Sequence, residues 1–257
     1  PFLLVILFGG HLGAQIQLMN ETFTGSIPPS GWTLQSTGTV NWVRNSAGRT
    51  DTSAVSCTNT QNQGMASLLS PALNLNGLQG DSLFFYWRHS STTIPKELDV
   101  VLSRDSGSTF PDTLYKIGLN TTWFSGSVYG KVSVSLSHYQ NISQIKIKFV
   151  YNPKGSSSTG QIVRLDDISV TARLLYNFSV TTLTAMPPQP LTSDSLSLTA
   201  DILNIGTKKS IPDSIVFYFD ANADGISQPM ECFKNIIPTD SIPPGSSLSY
   251  SAGFGNP

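Results

Sequence analysis

The sequence predicts an all-β protein. Three observations carry that expectation across its 257 residues. The apolar segments are short and alternate with a period of two, Gly, Pro, Asn and Ser clusters separate them, and no stretch shows the 3.6-residue period of an amphipathic helix. The opening run PFLLVILF at 1–8 is too short to span a bilayer and leads into small residues, so it reads as part of a signal peptide cleaved after Ala14. Residues 1–14 are therefore set apart from the fold, and the protein is expected to be exported, either secreted or held at the cell surface. SLFFYW at 82–87, LDVVLS at 98–103, KVSVSL at 131–136 and QIKIKFV at 144–150 follow as strands of a sandwich or barrel. SHYQN at 137–141 supplies a turn of helix at most. A second unit starts near Tyr176 with three further strand signals: FSVTTL at 178–183, LSLTADIL at 196–203 and SIVFYF at 214–219. Another strand signal begins near Ser247, and the chain is expected to stop before this second unit is complete.

Composition narrows the function. Charged residues make up 12% of the chain and the formal net charge is -1, with no basic stripe, which argues against a nucleic-acid partner. No later stretch approaches the ~18 apolar residues of a transmembrane helix. The two cysteines, Cys57 and Cys232, fall in different expected domains, so neither a disulfide scaffold nor a cysteine-ligated zinc site is expected.

FDANADGISQPMECF at 219–233 matches the spacing of a twelve-residue calcium loop. Asp220, Asn222 and Asp224 stand at positions 1, 3 and 5, Gly225 at 6, the Ile226 carbonyl at 7 and Glu231 at 12. Alternating short oxygen donors can wrap a hard cation while the glycine permits the bend. The preceding residues are β-branched and aromatic, so the loop is expected between strands and not between EF-hand helices. The competing reading is a turn rich in Asn, Asp and Gly that binds nothing.

SRDSGSTF at 103–110 follows the Asp-box pattern. Its aspartate can cap the turn and Gly107 can take positive φ, a structural task; a lone turn of this kind brings none of the other groups that glycoside chemistry needs. In LDDISV at 165–170, alternation sends Asp166, Ile168 and Val170 to one face and Asp167 to the other, placing a carboxylate beside core residues, where it needs a partner. Trp32, Trp42, Trp87 and Trp123, with Tyr86 and Tyr129, offer aromatic faces; most such rings are buried, and Trp123 and Tyr129 are the candidates for a sugar platform because NTTWFSGS at 120–127 reads as loop. His89 and His138 lack an HExxH neighbour, a nucleophile elbow or a spaced acid pair, so no catalytic residue is assigned.

Two resemblances organise these segments. ETF at 21–23, IPPSGW at 27–32, NW at 41–42, LSPAL at 69–73, FFYW at 84–87, the run 98–110 and RLDDISV at 164–170 occur in the order seen in the cleaved-adhesin, MAM-like domains of secreted Bacteroidetes proteins. That resemblance spans about residues 19–172 and implies a jelly-roll β-sandwich with a noncatalytic role, often appended to secreted peptidases or adhesins. It also implies a second structural calcium, with Glu21 of the first strand meeting Asp166 and Asp167 of the last and Asp51 as a loop ligand. The alternative is an aspartate bonded to backbone beside a solvated one. NIGTKKS at 204–210 and IPPGSSLSY at 242–250 resemble phrases of the cell-adhesion-related Ig-like domains of bacterial surface proteins, implying an incomplete Ig-like β-sandwich over 176–257. Together these imply a calcium-braced adhesion or binding region whose partner is a host or matrix protein, or a glycan, at the cell surface. The alternatives are a carbohydrate-binding module, or accessory domains of a secreted peptidase or glycosidase.

Overall fold

The computed structural model describes residues 15–58, 64–90, 97–117, 127–152, 162–186, 195–218 and 232–254. The chain divides into two compact units, Gln15–Ala172 and Arg173–Pro257. The expected signal segment 1–14, the residues expected to form a calcium loop (Asp220, Asn222, Asp224, Ile226 and Glu231), and Trp123 lie outside the described residues. Among the described residues there is no helix, and so none long and apolar enough to cross a membrane.

The unit Gln15–Ala172 is a jelly-roll sandwich. Its strands are β1 (Ile16–Glu21), β2 (Thr33–Ser36), β3 (Trp42–Asn45), β4 (Ala54–Thr58), β5 (Ala66–Leu69) and β6 (Leu78–His89). They are followed by β7 (Glu97–Ser103), β8 (Asp112–Ile117), β9 (Gly130–Ser135), β10 (Lys146–Asn152) and β11 (Ile162–Leu174). One antiparallel sheet runs β3-β4-β11-β6-β9 with β1 also on β11, and the other runs β2-β5-β10-β7-β8. The alternation read in the sequence decides which side chains meet. Leu83, Phe85 and Trp87 of β6 and Ile147, Phe149 and Tyr151 of β10 are all fully buried. Phe85 and Phe149 meet edge to face at 5.3 Å, joining the two sheets across one core. Trp42 closes one side of that core, its Nε1 donating to the Ala66 carbonyl at 3.2 Å and its ring meeting Tyr151. Residues 137–141 form a turn.

The second unit holds β12 (Phe178–Met186), β13 (Leu196–Asn204), β14 (Ile215–Tyr218), β15 (Cys232–Ile236) and β16 (Ser247–Phe254). Three strands form the sheet β12-β13-β16, and β14 pairs with β15. Leu198, Ala200, Ile202 and Ala252 of the first sheet share a small core with Ile215 and Phe217 of the second and with Ile242. Cys57 is buried, Cys232 is exposed, and both thiols are free.

Candidate functional site

The aspartates of β11 sit where that strand changes partners. Residues Ile162 to Leu165 pair with β4, whereas Ile168 to Ala172 pair with β1. Val163 and Leu165 face the core, and so do Ile168, Val170 and Ala172, so the inward phase slips by one residue between them. Asp167, at φ 46°, absorbs the slip in a conformation that asparagine and aspartate tolerate better than most residues. Asp166 is 1% exposed. Burial pushes its carboxyl up to about 6, an effect opposed by the Arg49 N–H and reinforced by the charges of Asp167 and Asp51.

The β3–β4 connection, residues 46–53, folds over these carboxylates. The Arg49 backbone N–H donates to Asp166 Oδ2 at 2.7 Å, while its Nε reaches Asp167 Oδ2 at 2.6 Å. The guanidinium lies 4.0 Å from the Tyr86 ring centroid. The Ala47 carbonyl accepts from Tyr129 Oη at 2.6 Å and from Arg88 Nη2 at 3.2 Å. Gly48 has to be a glycine, because a Cβ there would stand 2.3 Å from the Ser53 carbonyl oxygen. Sequence reasoning missed Arg49 altogether. Its partners are more than a hundred residues away along the chain, and no local pattern announces them.

The four carboxylates expected to hold a second calcium each meet a donor, Asp167 the Arg49 guanidinium and the other three a backbone N–H nearby in the sequence. Asp166 Oδ1 accepts the Asp167 N–H at 2.9 Å, Asp51 Oδ1 accepts the Ser53 N–H at 2.6 Å, and Glu21 Oε1 accepts the Phe23 N–H at 2.6 Å. Among the described residues, no three His, Cys, Asp or Glu side chains converge as a metal would require. As they stand, Glu21, Asp51, Asp166 and Asp167 are engaged with N–H donors and a guanidinium.

The flanks of the segment expected to be a calcium loop are strands, as the sequence implies. Tyr218 pairs with Cys232, which brings the two ends of segment 219–231 side by side at the close of the β14–β15 ladder.

The Asp-box turn between β7 and β8 is capped as expected. Asp105 Oδ1 accepts the Thr109 N–H at 2.9 Å, Oδ2 accepts the Thr109 hydroxyl at 2.6 Å, and Ser103 Oγ donates to Oδ1 at 2.6 Å. Those bonds, the Ser103 and Thr109 hydroxyls first, hold the Asp105 carboxyl down at about 2. Gly107 takes φ 94°. The turn thereby delivers half-buried Phe110 to Lys148, whose Nζ stands 3.5 Å from the ring centroid. Lys146 passes beside Gly107 on the same patch. Partial burial lowers the Lys148 pKa. A second such pair, Lys131 over Phe84 at 4.4 Å, lies on the outer side of the β6–β9 ladder. The Phe110 and Phe84 patches were also missed; only the aromatic at the end of the Asp-box phrase pointed toward one of them.

Tyr129, expected as an open sugar platform, is not one. Arg88 covers its ring at 4.8 Å and its hydroxyl is committed to the Ala47 carbonyl, so the residue serves the loop 46–53. Trp32, Trp42 and Trp87 are 6%, 2% and 0% exposed, which makes them core residues with no face to offer. His89 is fully buried and His138 is exposed on a turn.

No protein-family model matches the chain, and no curated protein does. Among solved structures, the chain is similar to a cleaved adhesin domain of Lys-gingipain from Porphyromonas gingivalis, at 20% identity and TM-score 0.47, over 60% of this chain and 98% of that one. It is similar also to a xylan-binding domain from Paenibacillus barcinonensis, at 16% identity and TM-score 0.41, over 64% of this chain and 97% of that one. A family 11 carbohydrate-binding module from Clostridium thermocellum, in complex with a mixed-linked tetrasaccharide, is similar at 13% identity and TM-score 0.42, over 62% and 96% of the two chains.

Proposed function

We propose that this chain is a noncatalytic binding region of an exported bacterial protein that takes an acidic glycan, or a carboxylate-bearing protein surface, on the unit Gln15–Ala172. The observation that supports it best is the patch of Phe110, Lys146 and Lys148. An aromatic face beside two ammonium groups suits a ligand with both apolar ring faces and negative charge, because the ring takes the C–H faces and the lysines take the carboxylates. The Asp-box turn gives that patch a fixed geometry, which limits the entropy lost on binding.

Calcium belongs to this reading at residues 220–231, as a brace for the second unit and not as a reagent. The paired strand ends at Tyr218 and Cys232 suit a closed loop of that length. The Ig-like character of 176–257 rests on its sequence phrases.

Binding of the intact chain to arrays of neutral and uronic-acid-containing glycans tests the first part. Retention of acidic glycans that is lost in Lys148→Ala and Phe110→Ala supports the reading; retention unchanged in both variants sinks it. Calorimetry in millimolar calcium and in chelator tests the second. A midpoint of the second unit that rises with calcium in the wild type and not in Asp220→Ala supports the brace, since a ligand bound only by the native state must stabilise it; no rise removes calcium from the account.

A further inference from the structure

We infer that the Arg49 guanidinium stands in the unit Gln15–Ala172 where a divalent cation would otherwise join loop 46–53 to the aspartate pair of β11, so that this unit closes without a metal. The first ground is occupancy. Arg49 Nε is 2.6 Å from Asp167 Oδ2, both oxygens of Asp166 accept backbone N–H groups, and Asp51 and Glu21 each accept one more. A metal entering here would have to strip these donors from the carboxylates and displace the arginine.

The arginine bonds around the loop are the second ground. Arg44 donates to Ser53 Oγ, Arg164 to Asn45 Oδ1, Arg88 to the Ala47 carbonyl and Arg49 to Asp167. Arg49 thus brings the cation to the aspartates, while the other three tie the loop and its flanks to neutral oxygens, so the loop is held from several sides by arginine donors.

Geometry is the third. Arginine keeps its charge at every physiological pH and presents a rigid planar set of donors, and the Tyr86 ring 4.0 Å away fixes the plane. A side chain at Gly48 would meet the Ser53 and Asp51 carbonyl oxygens at 2.3 and 2.6 Å, so the loop keeps its tight course over the aspartates only with glycine there. Arg49 therefore acts as an internal counter-ion that also carries its own loop.

The test uses the intact chain and tryptophan emission. All four tryptophans, Trp32, Trp42, Trp87 and Trp123, belong to Gln15–Ala172, so their signal follows this unit whatever calcium does at 220–231. For the wild type, the emission midpoint is expected to be the same in millimolar calcium and in chelator, within about 1 °C, whereas a bound ion would shift it by several degrees. Arg49→Gln is expected to lower the midpoint by about 3–8 °C in both conditions. Arg49→Lys keeps the charge but loses the planar fork, and should fall between the two. The double variant Arg49→Gln, Asp167→Asn should cost less than the sum of the single changes, as coupled partners do. A wild-type emission midpoint that drops in chelator and returns with calcium overturns the inference, and so does an Arg49→Gln midpoint equal to that of the wild type. Asp220→Ala, measured alongside, leaves the emission result unchanged.

Discussion

Replacing Asn204 by alanine should strongly destabilise the second unit while leaving the first untouched. Asn204 ends β13, is fully buried, and uses its side chain completely. Nδ2 donates to the carbonyls of Lys208 at 2.8 Å and Ile242 at 2.7 Å, and Oδ1 accepts the Gly206 N–H at 2.9 Å. It thus ties the turn after β13 to the segment that contributes Ile242 to the core. Losing three such bonds, each with a net value of about 0.5–1.5 kcal/mol and each leaving a partner unsatisfied, amounts to about 3–4 kcal/mol. In a unit of this size each kcal/mol moves the midpoint by roughly 4–8 °C, so a fall of more than about 12 °C is expected. Asn204→Asp should be no better, because it turns a carboxylate toward two carbonyl oxygens. Calorimetry reads the second unit, and tryptophan emission, which comes entirely from Gln15–Ala172, reads the first. A calorimetric midpoint within about 2 °C of wild type would show that water or relaxation replaces the lost bonds, and the keystone role assigned to Asn204 would be wrong.

Two further outcomes follow from the first unit. Gly48→Ala drives a methyl group into the Ser53 and Asp51 backbone oxygens, and the tryptophan-monitored midpoint should fall by an amount equivalent to about 1–3 kcal/mol, since neither backbone atom can swing aside. Asp105, whose carboxyl is held at about 2, stabilises the hairpin above its ordinary range near 3.8, and this contribution is lost as pH falls from there through 2. An acid titration of wild type should show that loss, and Asp105→Asn should show a weaker hairpin at neutral pH with a flatter response below pH 4; identical acid profiles would refute the capping account.

How much of this was legible depends on the range of the interactions. The strands β6 and β10 were readable because period two is a local property, and Leu83, Phe85 and Trp87 announce their burial without reference to anything distant. Asp166 was readable as a buried carboxylate for the same reason. The slip at Asp167 was not, since alternation counted from Leu165 and alternation counted from Ile168 disagree by one residue, and only the backbone at φ 46° says where the extra residue goes. The Asp-box cap was readable because all its bonds fall within a few residues. Arg49 and Tyr129 were not: each finds its partner through a loop fold that brings chain positions 47–49 to strands far along the sequence.

The rings on the outer surface are covered by two different kinds of cation, and that difference separates scaffold from the proposed ligand surface. Arg49 and Arg88 cover Tyr86 and Tyr129 while also hydrogen-bonded to Asp167 and to the Ala47 carbonyl, so uncovering either ring breaks a bond that holds loop 46–53. Lys131 and Lys148 cover Phe84 and Phe110 with no such commitment. The ion pairs of the described residues are Arg49–Asp167, Arg104–Asp112 and Lys116–Asp99, and neither of these lysines belongs to one. An ammonium on a flexible four-carbon stem can swing from the ring to an arriving carboxylate, exchanging a cation–π contact of about 0.5–1 kcal/mol for a charge-assisted hydrogen bond while freeing the ring face for the same ligand. Binding should therefore be lost through Lys148 and Phe110 at little cost to folding, whereas changes at Arg49 or Arg88 should reach binding only by way of the fold. Measuring the emission midpoint and glycan retention on each variant separates the two classes; a Lys148→Ala protein that loses stability as Arg49→Gln does would erase the distinction.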